Sequence, residues 1–128
     1  MSSIDDLLEC ARGRIDRLEP AQALEEMARG AVLVDVRAES QIARDGTVPG
    51  AIVVGRNVLE WRCARDGDHR DPRLSHPDGR VIVMCDGGYQ SSLAAATLQE
   101  LGLHRAADLA GGFRAWRAAG LPTSCSDV

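Results

Sequence analysis

The stretch Val81-Ile82-Val83-Met84-Cys85-Asp86-Gly87-Gly88-Tyr89-Gln90-Ser91 decides the fold. Its first four residues form a short apolar run rich in β-branched side chains, which reads as a buried strand. Residues 85–90 follow as a glycine-containing loop. From Ser91 onward, Leu93, Ala94, Leu98 and Leu101 recur at helical spacing, and Gly102 supplies the stop. A strand that feeds a helix through a glycine loop is half of a βαβ unit. The expectation is an α/β protein with a mostly parallel sheet.

The same pattern recurs on both sides. Ala31-Val32-Leu33-Val34-Asp35-Val36-Arg37 is near-continuously apolar and ends in charge, as a parallel strand buried on both faces would. Residues 51–54 and 106–109 read as two more strands, and residues 14–18 as a short one near the start. Between them lie helical signals. Pro20 is a favourable first-turn residue, Ala23, Leu24 and Met27 share a face behind it, and Gly30 ends the run. Residues 39–45 suit a short helix, Val58, Leu59 and Trp61 suggest another, and residues 113–119 resume as a helix after Gly111-Gly112. Ile4, Leu7, Leu8 and Ala11 mark one face of an N-terminal amphipathic helix. Residues 46–50 form a turn. Residues 64–80, rich in Asp, Arg and Pro, read as an exposed loop long enough to act as a lid or specificity element.

Composition narrows the function classes. The chain has 128 residues, enough for one domain with a real core, and its 45% apolar and 27% charged content is that of a soluble globular protein. Residues 1–12 are expected to be an N-terminal helical extension, residues 13–123 the domain, and residues 124–128 a flexible tail. A net charge of −4 argues against a nucleic-acid partner, which needs a basic surface. All fifteen basic residues are Arg, so neither a lysine Schiff base nor a P-loop lysine can exist. No apolar run is long enough to span a membrane, and the acidic N-terminus lacks the apolar segment of a secretory signal. The expected location is the cytoplasm. Cys10, Cys63, Cys85 and Cys125 include no Cys-x-x-Cys pair. A disulfide framework is not expected, and His69 and His76 without paired cysteines do not make a metal site. No cofactor is implied. Cys125, in the polar tail, should be exposed.

Cys85 is the candidate chemical centre. Ligands of open α/β sheets bind at the carboxyl ends of strands, and Cys85 sits there, directly after residues 81–84. The N–H groups of the loop ahead of a helix can converge into an anion cradle, and Gly87 and Gly88 permit the close backbone approach this needs. Ser91 or Ser92 can cap the helix or offer a hydroxyl to a bound group. The cradle would favour the thiolate, which attacks sulfur electrophiles and can hold a persulfide.

Several segments, in order, resemble the rhodanese family, in particular its single-domain members. Leu33-Val34-Asp35-Val36-Arg37 resembles the family's hydrophobic-DVR strand end, and Gly46-Thr47-Val48-Pro49-Gly50-Ala51 its GHIPGA turn. Cys85-Asp86-Gly87-Gly88-Tyr89-Gln90-Ser91 resembles the CxxGxRS loop, and Gly111-Gly112-Phe113-Arg114-Ala115-Trp116 the GGxxxW ending, followed by Gly120-Leu121-Pro122. The resemblance runs from about Arg14 to Pro122. It implies a rhodanese-like fold with a five-stranded parallel sheet and helices on both faces. It also implies that Cys85 is the catalytic nucleophile and that the amides of Asp86, Gly87, Gly88, Tyr89, Gln90 and Ser91 bind the sulfur substrate. Asp35, Arg37, Gly111, Gly112 and Trp116 are then structural, and Phe113 either packs in the core or lines the pocket.

Two departures bear on the donor. Gln90 stands where the family often has Arg, and Asp86 sets a negative charge beside the nucleophile. Both disfavour a dianion such as thiosulfate and the thiolate itself. Arg56 and Arg62, just after the 51–54 strand, are the candidates to restore positive charge. The reading that follows is a sulfurtransferase that carries sulfane sulfur as a persulfide on Cys85. Its partners would be a small donor (thiosulfate, a persulfide or a polysulfide), a thiol or cyanide acceptor, and optionally a protein in a sulfur relay. The alternatives are a catalytically weak binding or regulatory module and, third, a cysteine phosphatase or arsenate reductase. Those related enzymes end a longer loop in Arg, where this chain has Ser91.

Overall fold

The computed structural model describes residues 3–125. In chain order the elements are α1 (Ile4–Arg12), β1 (Asp16–Leu18), α2 (Pro20–Ala28), β2 (Val32–Asp35), α3 (Glu39–Asp45) and β3 (Ile52–Val53). A 3-10 turn (Arg56–Val58) leads into α4 (Leu59–Cys63), followed by β4 (Val81–Met84), α5 (Gln90–Glu100), β5 (Ala107–Leu109) and α6 (Gly112–Ala118). The five strands form one sheet in the order β1-β5-β4-β2-β3. Every neighbouring pair is parallel.

The two apolar faces of the sheet follow from strand alternation. Val34, Val81 and Val83 face Leu59 and Cys63 of α4 and Ala94, Ala95 and Leu98 of α5. Leu33, Ile82, Met84, Ala107 and Leu109 face Ala23 of α2 and Phe113 and Trp116 of α6. With β4 buried along its whole length, the strand is locked from both sides, and its carboxyl end is a rigid place to mount a reactive group. Trp116 is fully buried and its indole N–H donates to the Pro122 carbonyl at 2.8 Å, so it anchors the chain that leaves α6. Truncation of a buried aromatic of this kind costs about 3–5 kcal/mol.

Two expectations change. The 64–80 segment has no regular structure, yet it is not wholly exposed: Leu74 is fully buried in the α4–α5 core, and Asp71 N donates to the Arg62 carbonyl at 2.7 Å. One apolar residue is enough to pin a polar loop when the core has a matching gap. The N-terminal helix forms as expected, as α1, and it packs on α5 and buries Ala11, although Ile4 and Leu7 stay exposed. Ser124 of the expected tail pairs with Thr47 through two backbone hydrogen bonds of 2.8 and 2.9 Å. The rest of that expected flexible tail, residues 126–128, lies outside the described residues.

Candidate active site

Strand β4 delivers Cys85 to the carboxyl edge of the sheet, where the loop of residues 86–89 turns back over it and enters α5. Two glycine pairs shape this turn. Gly88 has φ +86°, and a Cβ there would sit 2.7 Å from the Gly111 nitrogen. Gly112 has φ +63°, and a Cβ there would run into the Cys85 and Asp86 carbonyl oxygens. The space that the missing side chains leave is taken by backbone: Phe113 N donates to the Cys85 carbonyl at 2.9 Å and Arg114 N to the Asp86 carbonyl at 3.2 Å. The start of α6 is thereby stitched to the first half of the loop.

Cys85 is only 3% exposed, and its Sγ accepts the Gly88 N–H at 3.2 Å. An open cavity of about 500 Å³, lined by Asp86, Gly87, Tyr89, Gly111 and Arg114, lies at the loop. The Asp86 carboxylate does not stand alone beside Cys85. Arg114 Nε donates to its Oδ2 at 2.7 Å, which offsets part of the negative charge that the sequence places there.

Behind the loop lies a buried polar network. Asp108, fully buried on β5, accepts hydrogen bonds from Ser91 Oγ and Ser92 Oγ, each at 2.8 Å, and from Arg17 Nε at 3.0 Å and Nη2 at 3.2 Å. Arg17 Nη2 and Arg12 Nη2 both reach the Gly88 carbonyl oxygen at 2.8 Å. Arg12 Nε also donates to Ser92 Oγ at 3.1 Å, and its guanidinium lies 5.5 Å from the centre of the exposed Tyr89 ring.

The residues singled out in the sequence separate into groups. Cys85, Asp86, Gly87, Gly88 and Tyr89 come together at the loop. Gln90 is the exposed first residue of α5, and the Ser91 hydroxyl is turned beneath the loop to Asp108. Arg56 and Arg62 do not line the cavity at the loop. Arg56 Nη1 is held at 2.7 Å by Glu60, one helical turn on, and Arg62 Nη1 donates to the His69 carbonyl at 3.0 Å. Asp35 and Arg37 form a fully buried ion pair at 2.7 Å, with Arg37 Nη2 also 2.6 Å from the Gly46 carbonyl and Thr47 Oγ1 2.7 Å from Asp35. The Arg37 guanidinium lies 3.9 Å from the centre of the Phe113 ring.

Four functional candidates were not read from the sequence: Arg12, Arg17, Asp108 and Arg114. A signal existed for one of them. Asp108 is a lone acid between Ala107 and Leu109 in a strand, and a carboxylate in that position demands partners. The arginines carry no local mark, since Arg17 and Asp108 are 91 residues apart and Arg12 and Gly88 are 76 apart.

The other cysteines differ in kind. Cys63 is fully buried, and burial, reinforced by the charges of Glu60 and Asp71, pushes its thiol up to about 12. Such a thiol stays protonated and inert at neutral pH. Cys10 and Cys125 are exposed, and all four cysteines are free.

Comparison with known proteins agrees with this fold. Residues 19–119 match the family model of the rhodanese-like domain. Over 100 residues the chain is 38% identical to the thiosulfate sulfurtransferase GlpE of Pseudomonas fluorescens, in an alignment that covers 77% of this chain and 80% of that one. Over 91 residues it is 32% identical to a sulfurtransferase of Allochromatium vinosum, covering 71% of this chain and 76% of that one. Among solved structures, it aligns with a TM-score of 0.89 and 35% identity to a protein of unknown function from Rhodopseudomonas palustris, described as a possible tyrosine phosphatase. That alignment covers 97% of this chain and 96% of the other.

Proposed function

This chain belongs to the rhodanese-like domain family, and from that premise we propose that it is a sulfurtransferase that carries sulfane sulfur as a persulfide on Cys85. The observation that carries the reading is the Gly88 N–H held 3.2 Å from Sγ, in a glycine loop at the carboxyl end of a fully buried strand. A backbone donor fixed at that sulfur favours an anion there and needs no reorganisation when the charge forms.

The transfer runs in two steps. The Cys85 thiolate attacks the outer sulfur of the donor. A sulfur–sulfur bond forms to Cys85 as the donor's own sulfur–sulfur bond breaks, and the bonding pair leaves with the donor fragment, as sulfite from thiosulfate or as a thiolate from a persulfide or polysulfide. An acceptor thiolate or cyanide then attacks the outer sulfur of the Cys85 persulfide, and the pair of that bond returns to Cys85 as thiolate. No external oxidant or reductant enters. A thiolate nucleophile needs no general base.

The ion pair between Asp86 and Arg114 supports an anionic donor, because it weakens the repulsion that Asp86 alone would impose. Thiosulfate therefore joins persulfides and polysulfides as a donor to be tried. The phosphatase reading has less support. Related cysteine phosphatases use an Arg at the end of their loop to grip a tetrahedral oxyanion, and Ser91 here gives its hydroxyl to Asp108.

Steady-state assay tests the proposal. With thiosulfate or a polysulfide as donor and cyanide as acceptor, the wild-type chain should form thiocyanate with ping-pong kinetics, and Cys85→Ser should form none above background. Equal turnover by Cys85→Ser would refute Cys85 as the carrier. Turnover of an aryl phosphate that requires Cys85, without sulfur transfer, would favour the phosphatase reading. Binding without turnover of either kind would favour a regulatory module.

A further inference from the structure

Two arginines from outside the loop converge on one of its atoms. Arg12 Nη2, from the end of α1, and Arg17 Nη2, from β1, each stand 2.8 Å from the Gly88 carbonyl oxygen. Arg17 is braced by both oxygens of Asp108, its register partner on β5. Arg12 is braced by Ser92 Oγ, and no carboxylate lies within ion-pair distance of it among the described residues. The group thus holds two guanidinium charges against one buried carboxylate. One positive charge is left over, close behind the loop that carries the Cys85 sulfur.

Building on the reading of Cys85 as the sulfur carrier, we propose that Arg12 and Arg17 are positioning residues of this site. They fix the Gly88–Tyr89 peptide with its carbonyl outward and hold an uncompensated positive charge behind the loop, and together these keep the Cys85 sulfur anionic. The geometry follows from peptide planarity. In a trans peptide the carbonyl and the next N–H point in opposite directions, so a Gly88 carbonyl tied to the arginines turns the Tyr89 N–H away from them. Gly88 N–H already donates to Sγ. Two successive N–H groups on the same side of a loop make an anion-binding nest. The Asp108 carboxylate sets the pose of Arg17, while the surplus charge resides on Arg12. Being half-buried, that charge is screened by salt less than a surface one. It takes the place of the Arg that Gln90 does not provide. It also makes α1 part of the site, because Arg12 is the last residue of that helix.

The test is the pH profile of Cys85 alkylation by iodoacetamide in the full chain. A Cys10→Ser, Cys125→Ser background removes the exposed thiols. Arg12→Gln orphans no carboxylate and should remain folded, with only a modest drop in its unfolding midpoint from the two hydrogen bonds it loses. It should nevertheless move the profile to higher pH and slow alkylation at pH 7 several-fold, the direction expected from losing a nearby positive charge. Arg17→Gln should shift the profile further, and Arg17→Lys should recover most of that loss. A folded Arg12→Gln chain with an unchanged profile would overturn the proposal. If Arg17→Gln fails to fold, the profile of Arg12→Gln alone decides the matter. Iodoacetamide needs no sulfur donor, so the two readings separate. An arginine-dependent profile in a chain that loads no sulfur would refute sulfur transfer and keep the arginine clamp. Sulfur loading with an arginine-independent profile would do the reverse.

Discussion

The sheet carries two Asp–Arg pairs at its carboxyl edge, one on each face, the first fully buried and the second joining a buried Asp108 to a partly exposed Arg17. Asp35 and Arg37 lie on the face of Leu33, Met84 and Phe113; Asp108 and Arg17 lie on the face of Val83. The chemistry is the same, but the hydrogen bonds end in different places. Those of Asp35 and Arg37 end on the Gly46 carbonyl and the Thr47 hydroxyl, and they staple the end of β2 to the following turn. Those of Asp108 and Arg17 end on the Gly88 carbonyl, in the loop that holds Cys85. A buried ion pair is weak evidence for stability taken alone. What it touches last tells whether it holds the β2 end or the loop that carries Cys85.

Substitutions should separate the two pairs. The largest effect is expected at the scaffold pair. Asp35→Ala leaves a buried Arg37 uncompensated and should cost about 3–5 kcal/mol by denaturant unfolding. The folded fraction should still alkylate at Cys85 at the wild-type rate; a slowed rate would erase the distinction. Thr47→Val repeats this comparison more gently, with a loss of about 1–2 kcal/mol. Gly88→Ala attacks the other side. Its positive φ and the crowding by the Gly111 nitrogen and Arg17 should cost about 1–3 kcal/mol, and sulfur loading of Cys85 should fall by more than the folded fraction does. Ser91→Ala removes one of several donors to Asp108 and should cost about 1 kcal/mol, with a small delay in Cys85 alkylation.

The smallest effect sharpens a second contrast on the same face, between two buried cysteines. Cys63 is raised from 9.0 to about 12, so the folded chain keeps a proton there that the unfolded chain releases above its ordinary pKa. The stabilising contribution is complete below pH 9 and is lost as pH rises toward 12. Between pH 7 and 9.5 the loss should be about 1 kcal/mol, and Cys63→Ala should abolish it. An unchanged alkaline slope in Cys63→Ala would show that this thiol does not titrate as its burial demands.

The framework was legible because it depends on local patterns. The apolar runs at residues 31–37 and 81–84 are β-branched, short and bounded by charge or glycine, and both became strands in the central part of the sheet. Asp35 and Arg37 are two residues apart on one strand end, so their pairing needs no knowledge of topology. The clamp on Gly88 needs all of it. Arg12, Arg17 and Asp108 meet only once β1 has added beside β5 and α1 has packed on α5. Arg56 shows the opposite error. Glu60 stands four residues on, and that spacing was a visible sign that the guanidinium would be engaged locally. Leu74 was hidden for a simpler reason: a single apolar residue in a polar stretch gives no period to detect.

The central claim is that Cys85 holds sulfur, and intact mass tests it most directly. Wild type and Cys85→Ser would each be exposed to thiosulfate and, separately, to a polysulfide, then weighed without reductant. The account predicts a gain of about one sulfur atom on the wild-type chain with at least one donor and none on Cys85→Ser. No gain with either donor, while iodoacetamide still alkylates Cys85, would contradict it, and so would an equal gain on the variant.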